Sequence, residues 1–193
     1  MIYPATDQYI DLAKSTLENG EVIVYPTDTL YGFGVDATNT EAIQRLNRLK
    51  GRVKPLSIIL KSLDHMYAFS EFDGEIKSEI SKLFPGSYTV LLPPKKSPLS
   101  PLVQSGSPSI GIRIPDHFFS IKLVKLLGKP IITTSINRHG TDPLNDVTQV
   151  EIDFPNVDIF EDPKHTPSKG STIIDYTASP PVVIREGDGP YPL

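Results

Sequence analysis

TEAIQRLNRLKGRVKPLSIIL, residues 40–60, sets the pattern for the chain. Thr40 offers a helix cap, and Ile43, Leu46 and Leu49 recur at the spacing of one helix face. Gly51 supplies the left-handed stop that commonly ends such a helix. The run 56–60 is short, apolar and preceded by Pro55, so it reads as a strand. A helix followed at once by a strand is the repeating step of an α/β protein. The same stretch carries Arg45, Arg48, Lys50, Arg52 and Lys54 from 45 to 54, with no acid among them. Arg45 and Arg48 lie off the apolar stripe, and Lys50 and Arg52 flank the helix end. The whole chain has net charge −4. A local concentration of cations on such a chain asks for an anion: a phosphate, a carboxylate or a nucleic-acid backbone. The plainer reading is a solvated helix face with Lys50 near a helix C-terminus.

Outward from this stretch the alternation continues. Residues 7–19 read as a helix capped by Thr6 or Asp7 and stopped by Gly20, with Ile10, Ala13 and Leu17 on one face. Residues 22–25 form a buried strand ended by Pro26, and 26–34, PTDTLYGFG, leave it as a polar, glycine-punctuated loop. Residues 62–69 and 73–84 are helical, the latter facing inward through Ile76, Ile80, Leu83 and Phe84. Strands follow at 88–92 and 110–114, separated by an exposed loop rich in Pro and Ser at 95–108. Asp116 caps a helix carrying Phe118, Ile121, Val124 and Leu127, ended by Gly128. Residues 131–134 are a buried strand that delivers Ser135-Ile136-Asn137. The part after Gly140 is looser, and its acids Glu151, Asp153, Asp158, Glu161 and Asp162 read as a solvated face. Two more strands lie at 172–175 and 182–185. The short gaps and 19 prolines argue against a regular doubly wound sheet. The expected fold is α/β, a twisted mixed sheet with helices packed against it, in a single domain over 1–193.

Composition narrows the function classes. There is no cysteine, which excludes disulfides and thiolate zinc sites. His65, His117, His139 and His165 are scattered without ligand spacing, so no metal site is expected. The N-terminus lacks the basic and apolar regions of a signal peptide, and no apolar run is long enough to span a membrane. A soluble, cytoplasmic protein is expected. There is no P-loop, no GxGxxG and no Ser/His/Asp arrangement. Several strands instead stop at polar groups: Thr27 and Thr29, Arg113, Ser135 and Asn137, Ser171, and Arg185. Ligands of open α/β sheets commonly sit beyond strand ends. Singly, each residue also fits a turn, a cap or a solvated position.

Together these segments resemble the YrdC-like family of threonylcarbamoyl-adenylate synthases. The resemblance runs through VIVYPTDTLYGFGVDA (22–37), LKGR (49–52), KPLSIIL (54–60), SIGIRIPDH (109–117), TTSINRHG (133–140), STIID (171–175) and VIREG (183–187). The family's K-x-R and S-x-N pairs fall on Lys50/Arg52 and Ser135/Asn137. The resemblance implies a positively charged concave face. It implies a nucleotidyltransferase reaction in which L-threonine, bicarbonate or CO2, and ATP give threonylcarbamoyl-AMP and pyrophosphate. A downstream enzyme then transfers the threonylcarbamoyl group to tRNA. It implies Lys50 and Arg52 as phosphate clamps, with Ser109, Ser135, Asn137 and Arg185 at the nucleotide. Thr29, Arg113 and Ser171 hold threonine, and Mg²⁺ arrives with ATP. The chain departs from the family in having only Val53 between Arg52 and Lys54-Pro55, which bears on the placement of Lys54. It ends after the VIREG strand, so the extra C-terminal domain of some members is expected to be missing. One alternative is a relative that binds tRNA or double-stranded RNA without making the adenylate, although net charge −4 opposes broad phosphate binding. A carbamoyl-transfer module is a weaker one.

Overall fold

The computed structural model describes residues 1–137 and 140–192. Arg138 and His139, part of the TTSINRHG segment, lie outside the described residues. The strands in chain order are β1 Ile2–Pro4, β2 Ile23–Tyr25, β3 Gly32–Gly34, β4 Ser57–Ile59, β5 Tyr88–Leu92, β6 Ile110–Arg113, β7 Ile131–Ser135, β8 Asp158–Glu161, β9 Thr172–Asp175 and β10 Val182–Arg185. The helices are α1 Ile10–Glu18, α2 Thr40–Lys50, α3 Leu63–Met66, α4 Gly74–Ile80, α5 Phe118–Leu127 and α6 Val147–Asp153. All ten strands join one sheet in the order β1-β8-β2-β3-β7-β4-β6-β5-β9-β10, with parallel and antiparallel pairs mixed. Among the described residues no helix is long and apolar enough to cross a membrane.

Helix α2 shows how the sequence sets its own ends. Gly51 at φ 64° stops it, and the Gly51 and Arg52 N–H groups bond to the carbonyls of Arg48 and Asn47. Its cap is Asn39, whose side chain accepts from the Ala42 N–H, and not Thr40. Thr40 lies inside the helix and donates to Ser100 instead. The helix after Asp116 begins at Phe118 with no side-chain cap, and it turns Phe119, Leu123, Val124 and Leu127 inward. Phe118, assigned to the buried stripe from its spacing, is 60% exposed. Three strands escaped the sequence reading, the first being β1 at the N-terminus, which pairs with β8. The end of the PTDTLYGFG loop is β3, paired with β2, where two glycines hide the strand signal. The acidic segment contains β8, which lies between β1 and β2 inside the sheet. Its Ile159 and Phe160 are fully buried, and the acids flank them.

Alternation along the strands sorts side chains onto two faces. On one face Val24, Phe33, Ile58, Val90, Ile112, Ile132, Ile159 and Ile174 pack with Ala42, Ile43 and Leu46 of α2. On the other, Ile23, Tyr25, Ile59, Ile131 and Phe160 pack under α1 and α5 through Leu17, Phe119 and Leu123. The same second face continues, two residues along or one strand over, through Ser57, Gly111, Arg113, Thr133, Ser135, Thr89 and Ile173. There the face becomes mostly polar, and among the described residues no helix lines the space over it. Because Ile131 sits where the covered half meets the open half, fully buried, Ile131→Ala is expected to destabilise the fold by about 2–5 kcal/mol in urea denaturation.

Candidate functional site

The uncovered half of the sheet forms a cavity of about 290 Å³. Its wall includes Thr29, Arg52, Arg113, Ser135, Ser171 and Arg185, six of the residues singled out from sequence. Ser57, Thr89 and Thr133 add hydroxyls that sequence reasoning missed. The only signal for them was their alternation with buried apolar residues in β4, β5 and β7. Three arginines and no carboxylate stand among the described residues of this wall. The site lies over the sheet face and not simply beyond the strand ends. The place of Ser57 in the wall depends on Gly111 opposite it in β6: a Cβ there would sit 2.5 Å from Ser57 Oγ.

Arg113 is the most confined of the three. It is 7% exposed, and its Nη2 donates to Asp28 Oδ1 at 2.8 Å and to Thr29 Oγ1 at 3.0 Å. Asp28 also accepts from Ser87 Oγ at 3.3 Å. Thr29 is oriented in turn by Thr27, whose hydroxyl accepts the Thr29 N–H at 3.1 Å and donates to the Leu30 carbonyl at 2.7 Å. Arg113 therefore already has an internal carboxylate, which the sequence reading did not foresee. Its Nε is buried and has no partner among the described residues. At the far wall Arg185 donates through Nε and Nη2 to the Ser171 carbonyl at 3.1 and 2.7 Å. Ser171 Oγ and Thr89 Oγ1 are 2.8 Å apart. Gly170, at φ 90°, brings the backbone close to Arg185 Nη2, 3.2 Å from where a Cβ would stand.

The K-x-R and S-x-N pairs meet beside the cavity. Lys50 is 1% exposed. It lies over the Phe33 ring and donates to the Ser135 carbonyl and, at 2.9 Å, to Asn137 Oδ1. Ser135 Oγ donates to the same Oδ1 at 3.0 Å, and Asn137 Nδ2 donates to the Thr141 carbonyl at 2.9 Å. Asn137 is thus engaged in holding Lys50 and does not line the cavity. Ser109 is not brought to the site: it pairs locally with Ser107. Lys54 is exposed and does not line the cavity, although Arg52 and Pro55 on either side of it do. A larger groove of about 720 Å³ runs under Phe118 past Lys61, Lys122 and Lys125. None of the residues singled out as a site lies in it.

Burial acts on three of these cations, and a neighbouring cation acts on two of them. Lys50 is pulled down to about 7, first by burial and then by Arg52. Arg113 is lowered by burial, partly offset by Asp28. Arg185 is lowered by burial and then by Arg113. Positive groups held at this cost around one space are a mark of a site that waits for an anion. A metal finds less here: the wall offers hydroxyls and guanidinium groups, and its ligands to magnesium would have to come from a bound phosphate and water.

The profile of the Sua5/YciO/YrdC family, described as "Telomere recombination", matches residues 15–187. The chain is 29% identical over 187 residues to the threonylcarbamoyl-AMP synthase of Bacillus subtilis, covering 94% of this chain and 54% of that protein. It thus spans about half the length of this curated relative. The crystal structure of Pyrococcus abyssi Sua5 complexed with L-threonine superimposes with TM-score 0.86 at 27% identity, over 97% of this chain and 56% of that one. Escherichia coli YciO superimposes with TM-score 0.88 at 26% identity, over 97% and 93% of the two chains.

Two outcomes follow from the buried charges. Asp28→Ala leaves Arg113 without its carboxylate and is expected to lower stability by about 3 kcal/mol in urea. An unchanged transition midpoint would show that the pair contributes nothing. For Lys50, folded and unfolded chains both hold the proton below about pH 7. From there to its ordinary 10.5 the unfolded chain holds a proton that the folded chain lacks. The contribution of this group to stability therefore rises with pH across that window. Lys50→Met should stabilise the ligand-free protein most at pH 6 and progressively less toward pH 10. An advantage independent of pH would contradict the burial of a charge.

Proposed function

The chain belongs to the Sua5/YciO/YrdC family, and on that premise we propose that it makes threonylcarbamoyl-AMP and pyrophosphate from L-threonine, bicarbonate and ATP. The observation that carries this reading is the convergence of Thr29, Arg52, Arg113, Ser135, Ser171 and Arg185 on one cavity without an acid in its wall. The names of its relatives, and the complex of P. abyssi Sua5 with L-threonine, supply the substrate class.

The reaction begins with the amine of threonine and bicarbonate, which join as a carbamate with loss of water. A carbamate oxygen then attacks the α-phosphorus, the bond to the bridging oxygen breaks, and pyrophosphate leaves. Bicarbonate, the carbamate, ATP and pyrophosphate are anions and threonine brings a carboxylate, so positioning and charge neutralisation carry the catalysis. Arg113, fixed by Asp28 and Thr29, has Nη1 left for the threonine carboxylate, with Ser171 opposite. Arg52 is half-buried and has no side-chain partner among the described residues, which leaves its guanidinium for phosphate oxygens. Lys50 adds a charge at the end of β7, held ready by Ser135 and Asn137. Arg185 faces the nucleotide. Magnesium bound with ATP would add charge neutralisation on the phosphates, its ligands coming from phosphate oxygens and water. The product passes to an enzyme that transfers the threonylcarbamoyl group to tRNA, work that belongs in the cytoplasm.

The test is mass-spectrometric detection of threonylcarbamoyl-AMP from Mg-ATP, bicarbonate and L-threonine, omitting one substrate at a time. Product that disappears with each omission is expected. No product from the complete mixture, by protein that binds ATP, would overturn the reading. Lys50→Ala and Arg52→Ala are each expected to lose turnover by roughly 100-fold or more while keeping the circular-dichroism spectrum of the fold. Undiminished turnover in either would show that the phosphate clamp lies elsewhere.

A further inference from the structure

We propose that Thr89 is a positioning residue for the amino-acid substrate: its hydroxyl, paired with that of Ser171, keeps one O–H directed into the cavity for the substrate carboxylate. Thr89 is the second residue of β5 and has apolar neighbours on both sides. It is 3% exposed and belongs to the cavity wall. Its branched side chain suits a strand, but valine would suit one equally, so the hydroxyl is what asks for a role. The only partner of that hydroxyl among the described residues is Ser171 Oγ, at 2.8 Å.

The sheet puts this pair between two cations. Four neighbouring strands run in the order β6-β5-β9-β10. Arg113 ends β6, Thr89 is on β5, Ser171 directly precedes β9, and Arg185 ends β10. The register that sets Val90 opposite Ile112 brings Thr89 beside Arg113, and the one that sets Tyr88 opposite Thr172 brings Ser171 close on the other side. All four residues line the cavity. Arg185 is lowered by burial and then by the charge of Arg113, so the two guanidinium groups act on each other across the pair. A carboxylate over the two hydroxyls is attracted from both sides.

Counting protons shows what the pair offers. A hydroxyl donates one hydrogen bond and accepts two. Arg185 Nη2 donates to Ser171 Oγ at 3.2 Å. With Thr89 donating to Ser171, both acceptor positions of Ser171 are filled and its own proton is left over. With Ser171 donating to Thr89, the Thr89 proton is left over. In either direction one O–H has no protein acceptor among the described residues, and it stands on a wall without a carboxylate. Thr89 fixes that proton toward the cavity and strengthens it as a donor, because hydrogen bonds in a chain polarise one another. Threonine as the amino acid comes from the synthase reading. The hydroxyl pair and its place between two guanidinium groups do not depend on it.

The experiment is calorimetric titration of the intact protein with L-threonine and, separately, with AMP. It compares the native chain with Thr89→Val, Thr89→Ala and Thr89→Ser. Thr89→Val and Thr89→Ala are each expected to weaken L-threonine roughly fivefold and to leave AMP unmoved. Thr89→Ser, which keeps the hydroxyl, is expected to recover most of the lost affinity. A native protein that does not bind L-threonine, or native affinity in Thr89→Val, would overturn the role. So would Thr89→Ser as weak as Thr89→Val, since the methyl group would then be what matters. Weakened AMP with L-threonine unmoved would also overturn it and give the pair to the nucleotide. The expected pattern in a protein that makes no threonylcarbamoyl-AMP would uphold the role of Thr89 and remove the synthase reading alone.

Discussion

A sheet face in water has to be covered, and this chain covers only half of one. Under α1 and α5 the face is apolar, through Ile23, Tyr25, Ile59, Ile131 and Phe160. Two residues along β4 and β7 it turns to Ser57 and Thr133, and one strand over from Ile59 it turns to Arg113. The switch costs hydrophobic burial and gains a walled space whose lining is hydroxyls and guanidinium groups. The opposite face, sealed by α2 and its neighbours, is continuous core. That core holds the strands rigidly enough for side chains on the open half to keep their places.

Charge is the second consequence. Three arginines line the cavity and a buried lysine stands at its edge, with Asp28 as the nearest internal counter-charge. Burial lowers the affinity of Lys50 for its proton, and burial followed by the charge of Arg113 does the same to Arg185. The folded protein carries this repulsion at a cost to its stability, and an anionic ligand relieves it. Asp28 limits the cost without closing the site, since it takes one nitrogen of Arg113 and leaves the others. Asn137 does the same for Lys50 with a neutral oxygen, which orients the ammonium and does not cancel its charge.

Much of this was legible beforehand because it is local. Helix stops at Gly20, Gly51 and Gly128 follow from the need for positive φ, and strands such as β5 and β9 are bounded by their own apolar runs. Six residues of the cavity wall could be named because they lie in short sequence segments. What could not be read depends on pairing across the fold. Asp28 lies in an unremarkable loop until β6 brings Arg113 beside it. Ser109 sits inside a matching segment, yet its neighbours take its hydroxyl. Phe118 had the right period for burial, but α5 is rotated by the packing of Phe119 and Leu123 against the sheet. β8 was masked because its buried pair is only two residues long and is flanked by acids.

The central claim is that the uncovered half-face gathers the amino acid and the nucleotide. A crystal structure of the protein with L-threonine and a non-hydrolysable ATP analogue addresses it most directly. The account predicts the threonine carboxylate at hydrogen-bond distance from Arg113 and phosphate oxygens against Arg52, over β4, β6 and β7. Ligand seated in the groove beneath Phe118, with the cavity above Ser57 and Thr133 empty, would contradict it.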